Sequence, residues 1–242
     1  PVGAVDPLDA LADLCTARKL WLHVDGAYGG AFAMTERGSR VLAGLGRADS
    51  ITLDPHKGLF LPYGTGAILV RDRTTLQRAF TVPASYLPEP IPHDDHWDFA
   101  DMSPELSRPA RGLRLWLPLK MHGAGAFRRA LDEKLDLAAQ AWERVVALPH
   151  VRGVKAPDLS LFAFRVEPPG LDGDAVTRRV LSAVGKRGRV LITGAQVVDP
   201  AVGERVFVGR VCVLSFRTHQ RQIDQLVEHL EDAITAVVAA SG

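Results

Sequence analysis

The sequence predicts an α/β fold followed by a smaller α+β unit. Three observations point there. Short, nearly continuous apolar runs recur at 20–25, 50–53 and 66–70, as expected for strands in a layered sheet. Helical stretches with an apolar stripe flank them. Beyond Pro149 the pattern becomes strand, helix, strand, strand, helix.

Taken in order, residues 6–19 read as a helix. Asp6 is placed to cap it, and Pro7 suits the first helical position. Leu8, Leu11, Ala12 and Cys15 form one stripe, and Arg18 and Lys19 meet the negative end of the helix dipole. The run LWLHVD at 20–25 is expected to be a strand buried on both faces, ending at Asp25 before the loop GAYGG. SITL at 50–53 precedes DPHKG, and GAILV at 66–70 closes at RDRTT. Residues 81–110 carry six prolines and little periodicity, so they read as an extended excursion of the functional kind. From 111 a long helix is expected, broken or kinked near Pro118 and Gly123–Gly125. Then come a strand at 159–167, a helix at 175–188, strands at 189–194 and 210–216, and a helix at 220–240. Ile223, Leu226, Val227, Leu230, Ile234 and Val237 share one face of that last helix.

Composition narrows the function. A formal net charge of +1 over 242 residues gives no reason to expect nucleic acid or a membrane surface as partner. The two distant cysteines, Cys15 and Cys212, make neither a disulfide framework nor a metal site, and a cytoplasmic location is expected. No apolar run reaches the length of a membrane-spanning helix. The chain starts at Pro1 and runs straight into a helix signal, so it is expected to be a piece of a longer polypeptide.

Asp25 and Lys57 stand out because both lie at or just past the ends of expected strands, where α/β sheets gather ligands. A lysine amine becomes a nucleophile when burial or a nearby cation favours its neutral form. Such an amine forms a Schiff base with a carbonyl of a substrate or of pyridoxal phosphate, whose ring nitrogen then needs an acidic or Arg partner. Spacing alone leaves two readings open, a solvated turn lysine or a nucleophilic one. His23 is expected to satisfy the sheet end. His93 and His96 have near metal-ligand spacing but no cysteine or third His nearby, so a solvated loop is the expectation. Tyr63 and Trp116 are expected to pack, Trp116 in the core. YGTGAILV is not a dinucleotide fingerprint, because its glycines precede a strand rather than open a helix.

The blocks WLHVDGAYGG and ADSITLDPHKGLFLPYGTGAILVRD, with VPASYLPE, LSRPARGLRLWLPLKMHGAGAF and VLSFRTHQRQIDQLVEHL downstream, resemble the group II pyridoxal-phosphate-dependent amino-acid decarboxylases, aromatic L-amino-acid decarboxylases among them. The resemblance covers the whole chain, most weakly in its C-terminal part. It implies a fold-type I, aspartate aminotransferase-like architecture. Residues 1–125 would be the C-terminal half of the large cofactor-binding domain, with 81–110 as its catalytic-loop excursion. Residues 126–242 would be a small α+β domain with its entry helix.

The resemblance also implies roles. Lys57 would carry the Schiff base to pyridoxal 5′-phosphate, and Asp25 would pair with the pyridinium nitrogen. Ala27 would pack against a ring face, and His56 would lie near the phosphate. Asp54 falls where several relatives carry Asn beside that phosphate, and its role stays open. Tyr86 would protonate the α-carbon after CO₂ leaves, and Arg111 would be a supporting residue. The implied activity is decarboxylation of an L-amino acid to its amine by a homodimeric carboxy-lyase, with the present chain alone inactive. Another fold-type I enzyme, a carbon–carbon lyase or an aminotransferase, and a non-catalytic fragment that keeps the fold are the alternatives.

Overall fold

A computed structural model describes residues 2–82, 98–199 and 201–241. Helix α1 (Leu8–Arg18) buries Leu8 and Ala12 and ends at Lys19 in the left-handed conformation (φ 53°). Asp6 does not cap it. The helix starts one residue later than expected, Pro7 takes the N-cap position, and no side chain caps the first turn. Strand β1 (His23–Asp25) follows. Helix α2 (Glu36–Val41) is capped by Thr35, whose hydroxyl accepts from the Gly38 N–H at 2.9 Å. Strand β2 (Ser50–Leu53), the single turn α3 (Pro55–Gly58), strand β3 (Ala67–Val70) and helix α4 (Thr74–Phe80) complete this part.

The first sheet has the order β1-β2-β3. β1 runs parallel to β2 with Asp25 opposite Thr52, and β3 runs antiparallel to β2 with Ala67 opposite Leu53. The expectation of a doubly buried strand at 20–25 is corrected here. Only three of those residues join the ladder, and Leu20 and Trp21 are 57% and 52% exposed. Among the described residues β1 is an edge strand, with β2 as its one ladder partner.

Helix α5 (Gly112–Val146) runs through Pro118 and breaks at Gly123, whose φ of 72° and ψ of 153° leave the helical region. Gly meets this demand without a Cβ penalty. Before the break α5 exposes Leu113, Trp116, Leu117 and Met121, so Trp116 is a surface residue and not a core one. After the break it buries Phe127, Leu131, Leu135, Ala138, Ala141 and Val145.

The second sheet comprises β4 (Val151–Lys155), β5 (Leu161–Val166), β6 (Thr193–Val198) and β7 (Arg205–Cys212) in the antiparallel order β4-β5-β7-β6. Helices α6 (Gly173–Lys186) and α7 (Gln220–Ala239) pack on it with the second half of α5. Phe162, Phe164, Val180, Val184 and Leu230 are fully buried between them. All but Val227 of the six apolar positions read from the sequence of α7 are buried.

Two strands lie elsewhere than expected, at 193–198 rather than 189–194 and at 205–212 rather than 210–216, and β4 was not foreseen. β4 and β6 are the two edges of the sheet, and their sequences, VRGVK and TGAQVV, lack the apolar density of a central strand. Edge strands need less of it. Val213 and Leu214 are buried, but they lie past the end of the β7 ladder.

An ion-pair network binds β4, β5 and the β6–β7 turn. Arg152 meets Glu167 at 2.7 Å and the buried Asp199 at 2.5 Å, while Arg165 meets Glu167 at 2.6 Å and also pairs with Asp174. The hydrogen bond from Arg152 holds the Glu167 carboxyl below its ordinary range, against the opposing effect of burial. A depressed carboxyl contributes stability that is present above its unfolded-state value and lost as pH falls through the folded one. The melting temperature should therefore drop between roughly pH 5 and pH 2. Glu167→Gln should lower it at neutral pH and flatten that acid dependence, as read by circular dichroism melts across the range.

Candidate active site

The DPHK segment folds as a turn closed by its own backbone. Pro55 begins α3 where its missing N–H costs nothing. The N–H groups of both Leu59 and Leu61 donate to the Pro55 carbonyl at 3.1 Å, and Phe60 takes a positive φ of 59° to allow it. His56 is held from both ends. Its backbone N–H donates to the Thr65 carbonyl at 3.3 Å, and its Nδ1 lies 2.7 Å from the same oxygen. A carbonyl only accepts, so Nδ1 carries the proton and Nε2 is left toward the site. Tyr63 is 90% exposed and sets its ring edge-on to His56 at 4.9 Å. It packs on that histidine but is not buried.

Lys57 points its amine back along the turn, with Nζ 2.7 Å from Asp54 Oδ2. The lysine side chain is 42% exposed and the aspartate 19%. The same Oδ2 lies 4.0 Å from His56 Nε2. Asp54, His56 and Lys57 thus form one cluster at the end of β2.

Asp25 ends β1, the strand parallel to β2, so the Asp25 and Lys57 segments leave the sheet at the same edge. Asp25 Oδ1 accepts the Ala27 N–H at 3.1 Å, and Oδ2 has no hydrogen bond among the described residues. The loop from Gly26 to Ala31 lies against both the sheet and the lysine turn. A Cβ at Gly26 would stand 2.9 Å from the Thr52 carbonyl oxygen, and one at Gly58 would stand 2.5 Å from the Ala31 Cβ. Loop and lysine turn are therefore in contact through small residues.

His23 bridges Ser50 Oγ at 2.7 Å and Thr52 Oγ1 at 3.2 Å, tying β1 to β2 as expected of a residue that satisfies the sheet end. Arg111 makes a two-pronged pair with Glu105 at 3.0 and 3.1 Å, just before α5. Tyr86, His93 and His96 lie outside the described residues.

One contact at the site had no counterpart in the sequence reading. The Tyr28 hydroxyl lies 2.8 Å from Ser160 Oγ and 3.3 Å from the Ser160 carbonyl, which ties the loop after Asp25 to the entry of β5. Burial pushes the Tyr28 phenol well up. A large aromatic inside GAYGG was the available signal, but its partner sits 132 residues away.

An accessible amine and a carboxylate with one open oxygen at the same sheet edge match what a pyridoxal group requires. Residues 1–167 fit the family described as the pyridoxal-dependent decarboxylase conserved domain. The chain belongs to this family.

Within the family, the chain is 33% identical over 230 residues to an aromatic-L-amino-acid decarboxylase of Bacillus atrophaeus, covering 93% of this chain and 47% of that protein. It is 30% identical over 225 residues to the acidic amino acid decarboxylase GADL1 of Bos taurus, covering 92% and 41%. Its structure matches the apo form of mouse CSAD with a TM-score of 0.81 at 28% identity, over 96% of this chain and 49% of that one. The fold is thus of the fold-type I class expected. The chain spans about half the length of the curated relatives it matches. Pyridoxal phosphate is the cofactor of the family.

The contact between α3 and the loop is tight enough to test. Gly58→Ala should destabilise the protein by about 1–3 kcal/mol, because the Ala31 methyl cannot swing away. Urea unfolding of the two proteins measures this.

Proposed function

We propose that the protein containing this chain removes the α-carboxylate of an L-amino acid as CO₂ and leaves the amine. One observation carries the reading: in a chain of this family, Lys57 and Asp25 leave adjacent parallel strands at the same edge. When bound, the cofactor supplies an electron sink for the pair released with CO₂. Lys57 anchors it through Nζ. Asp25 presents its open Oδ2 to the ring nitrogen and keeps a proton there. Ala27 would offer a methyl to one ring face. His56, fixed by Thr65, offers Nε2 toward the phosphate. Tyr86 delivers a proton to the α-carbon, which makes the amine and not a transamination product the outcome.

We read residues 1–125 as half of the cofactor-binding domain and 126–242 as the small domain, joined near the break in α5 at Gly123. We place the protein in the cytoplasm, supported by two unbridged cysteines, and take it to work as a homodimer. An aromatic L-amino acid is the favoured substrate, supported by the likeness to the Bacillus atrophaeus enzyme. The 242 residues alone are expected to retain cofactor weakly and to be inactive.

Full-length protein given pyridoxal phosphate should develop the absorbance band of a lysine-bound pyridoxal group and release CO₂ from an aromatic member of an L-amino-acid panel. Lys57→Ala should abolish both. Tyr86→Phe should keep the band and lose amine formation by roughly 10²-fold or more, the scale of a general acid's contribution. Amine formation at the normal rate by that variant would remove Tyr86 from its role.

A further inference from the structure

Asp25 ends a three-residue strand at the sheet edge and is exposed. The ladder alone therefore does not fix where its carboxylate points. Among the described residues one hydrogen bond does, from the Ala27 N–H to Oδ1 at 3.1 Å. Ala27 belongs to a closed turn, in which the Gly30 N–H donates to the Gly26 carbonyl at 2.8 Å. Tyr28 sits in the middle of that turn. Its hydroxyl donates to the Ser160 carbonyl at 3.3 Å and lies 2.8 Å from Ser160 Oγ, which can donate in return. The anchor is itself fixed. Ser160 is fully buried, and its carbonyl also accepts the Val213 N–H at 2.8 Å, tying the entry of β5 to the residue after β7. A second contact falls on the same segment, because a Cβ at Gly29 would stand 2.9 Å from Leu159 Cδ1. The turn that orients Asp25 thus rests on the second sheet as well as on its own.

We propose that Tyr28, held by Ser160, is a positioning residue for Asp25: it sets the turn whose Ala27 N–H aims the Asp25 carboxylate at the ring nitrogen of the cofactor. The inference rests on the reading of Asp25 as the partner of that nitrogen. The Ala27 N–H and the Tyr28 side chain ride on one hydrogen-bonded turn, so a shift of either carries the other. With Oδ1 held, Oδ2 has one place to be. A group that grips a ligand by a single hydrogen bond works only when its own supports fix it to within about half an ångström. Removing the Tyr28 hydroxyl releases the turn from β5, and the Ala27 N–H moves with it. The loss then falls on the bond from Asp25 to the ring, since the Tyr28 hydroxyl itself is spent on Ser160.

The experiment measures the dissociation constant of pyridoxal phosphate from the full-length protein, by titration of the lysine-bound absorbance band. Four proteins are compared: wild type, Tyr28→Phe, Asp25→Ala and the double variant. Tyr28→Phe should weaken binding roughly tenfold, the scale of one buried hydrogen bond. In the Asp25→Ala background the same change should cost less than about twofold, because the group it positions is gone. Ser160→Ala removes the partner of the phenol at Oγ and should show the same dependence on Asp25, which keeps the test decisive if Tyr28→Phe does not fold. Equal losses with and without the Asp25 carboxylate would make Tyr28 a structural residue alone and overturn the proposal. An unchanged constant for both Tyr28→Phe and Ser160→Ala would overturn it as well. Either result leaves the reading of Asp25 intact. Cofactor binding by Asp25→Ala as tight as that of wild type would instead sink that reading, and this inference with it.

Discussion

The parallel pairing of β1 with β2 is the constraint on which the site depends. Two parallel strands end at the same edge of their sheet, so residues that follow both ends can face one ligand. Here the register sets Asp25 opposite Thr52, two residues before Asp54 and five before Lys57. A slip of one residue would turn the Asp25 carboxylate to the other face of the sheet. His23 guards against that slip, since its two ring nitrogens reach Ser50 and Thr52, alternate residues on one face of β2. The residue read from sequence as a mere filler of the sheet end is thus part of what holds the register.

The chemistry is carried by short irregular segments, and these are held by contacts from outside their own sheet. The lysine turn is closed on Pro55 and pinned through His56 to Thr65. The loop after Asp25 lies beneath it, packed through Gly58 and Ala31, and is moored by Tyr28 to Ser160 at the entry of β5. The second sheet is well placed to act as a mooring. Its core is built from β5, β7, α6, α7 and the far half of α5, with Phe162, Phe164 and Leu230 fully buried. The N-terminal residues join the same support, since the Val5 N–H donates to Asp158 at 3.0 Å and Val2 packs with Ala163, Val206 and Val208. A site with an exposed lysine is thereby attached to the best-packed part of the molecule.

What could be read in the sequence follows from how locally each feature is encoded. SITL, the break near Gly123 and the apolar face of α7 were legible because each is set by a few neighbouring residues. The family, and the placement of Asp25 and Lys57 at or just past the ends of β1 and β2, were legible because their motifs are contiguous. Edge strands β4 and β6 were not, since an edge strand owes its place to a partner and not to its own apolar pattern. Trp116 was misplaced because a helical stripe marks a face without saying what covers it. The Tyr28–Ser160 bond and the Asp54–Lys57 pair are invisible to spacing for different reasons. The first joins residues far apart in the chain. The second depends on which of two local partners, a backbone N–H or an ammonium, the Asp54 carboxylate takes.

The central claim is that Asp25 and Lys57 grip opposite sides of one cofactor across the β1–β2 edge. A crystal structure of the full-length protein soaked with pyridoxal phosphate tests it most directly. The account requires electron density continuous with Lys57 Nζ, and Asp25 Oδ2 within hydrogen-bonding distance of the ring nitrogen. Density attached to another lysine, or a ring nitrogen facing any residue other than Asp25, would contradict it.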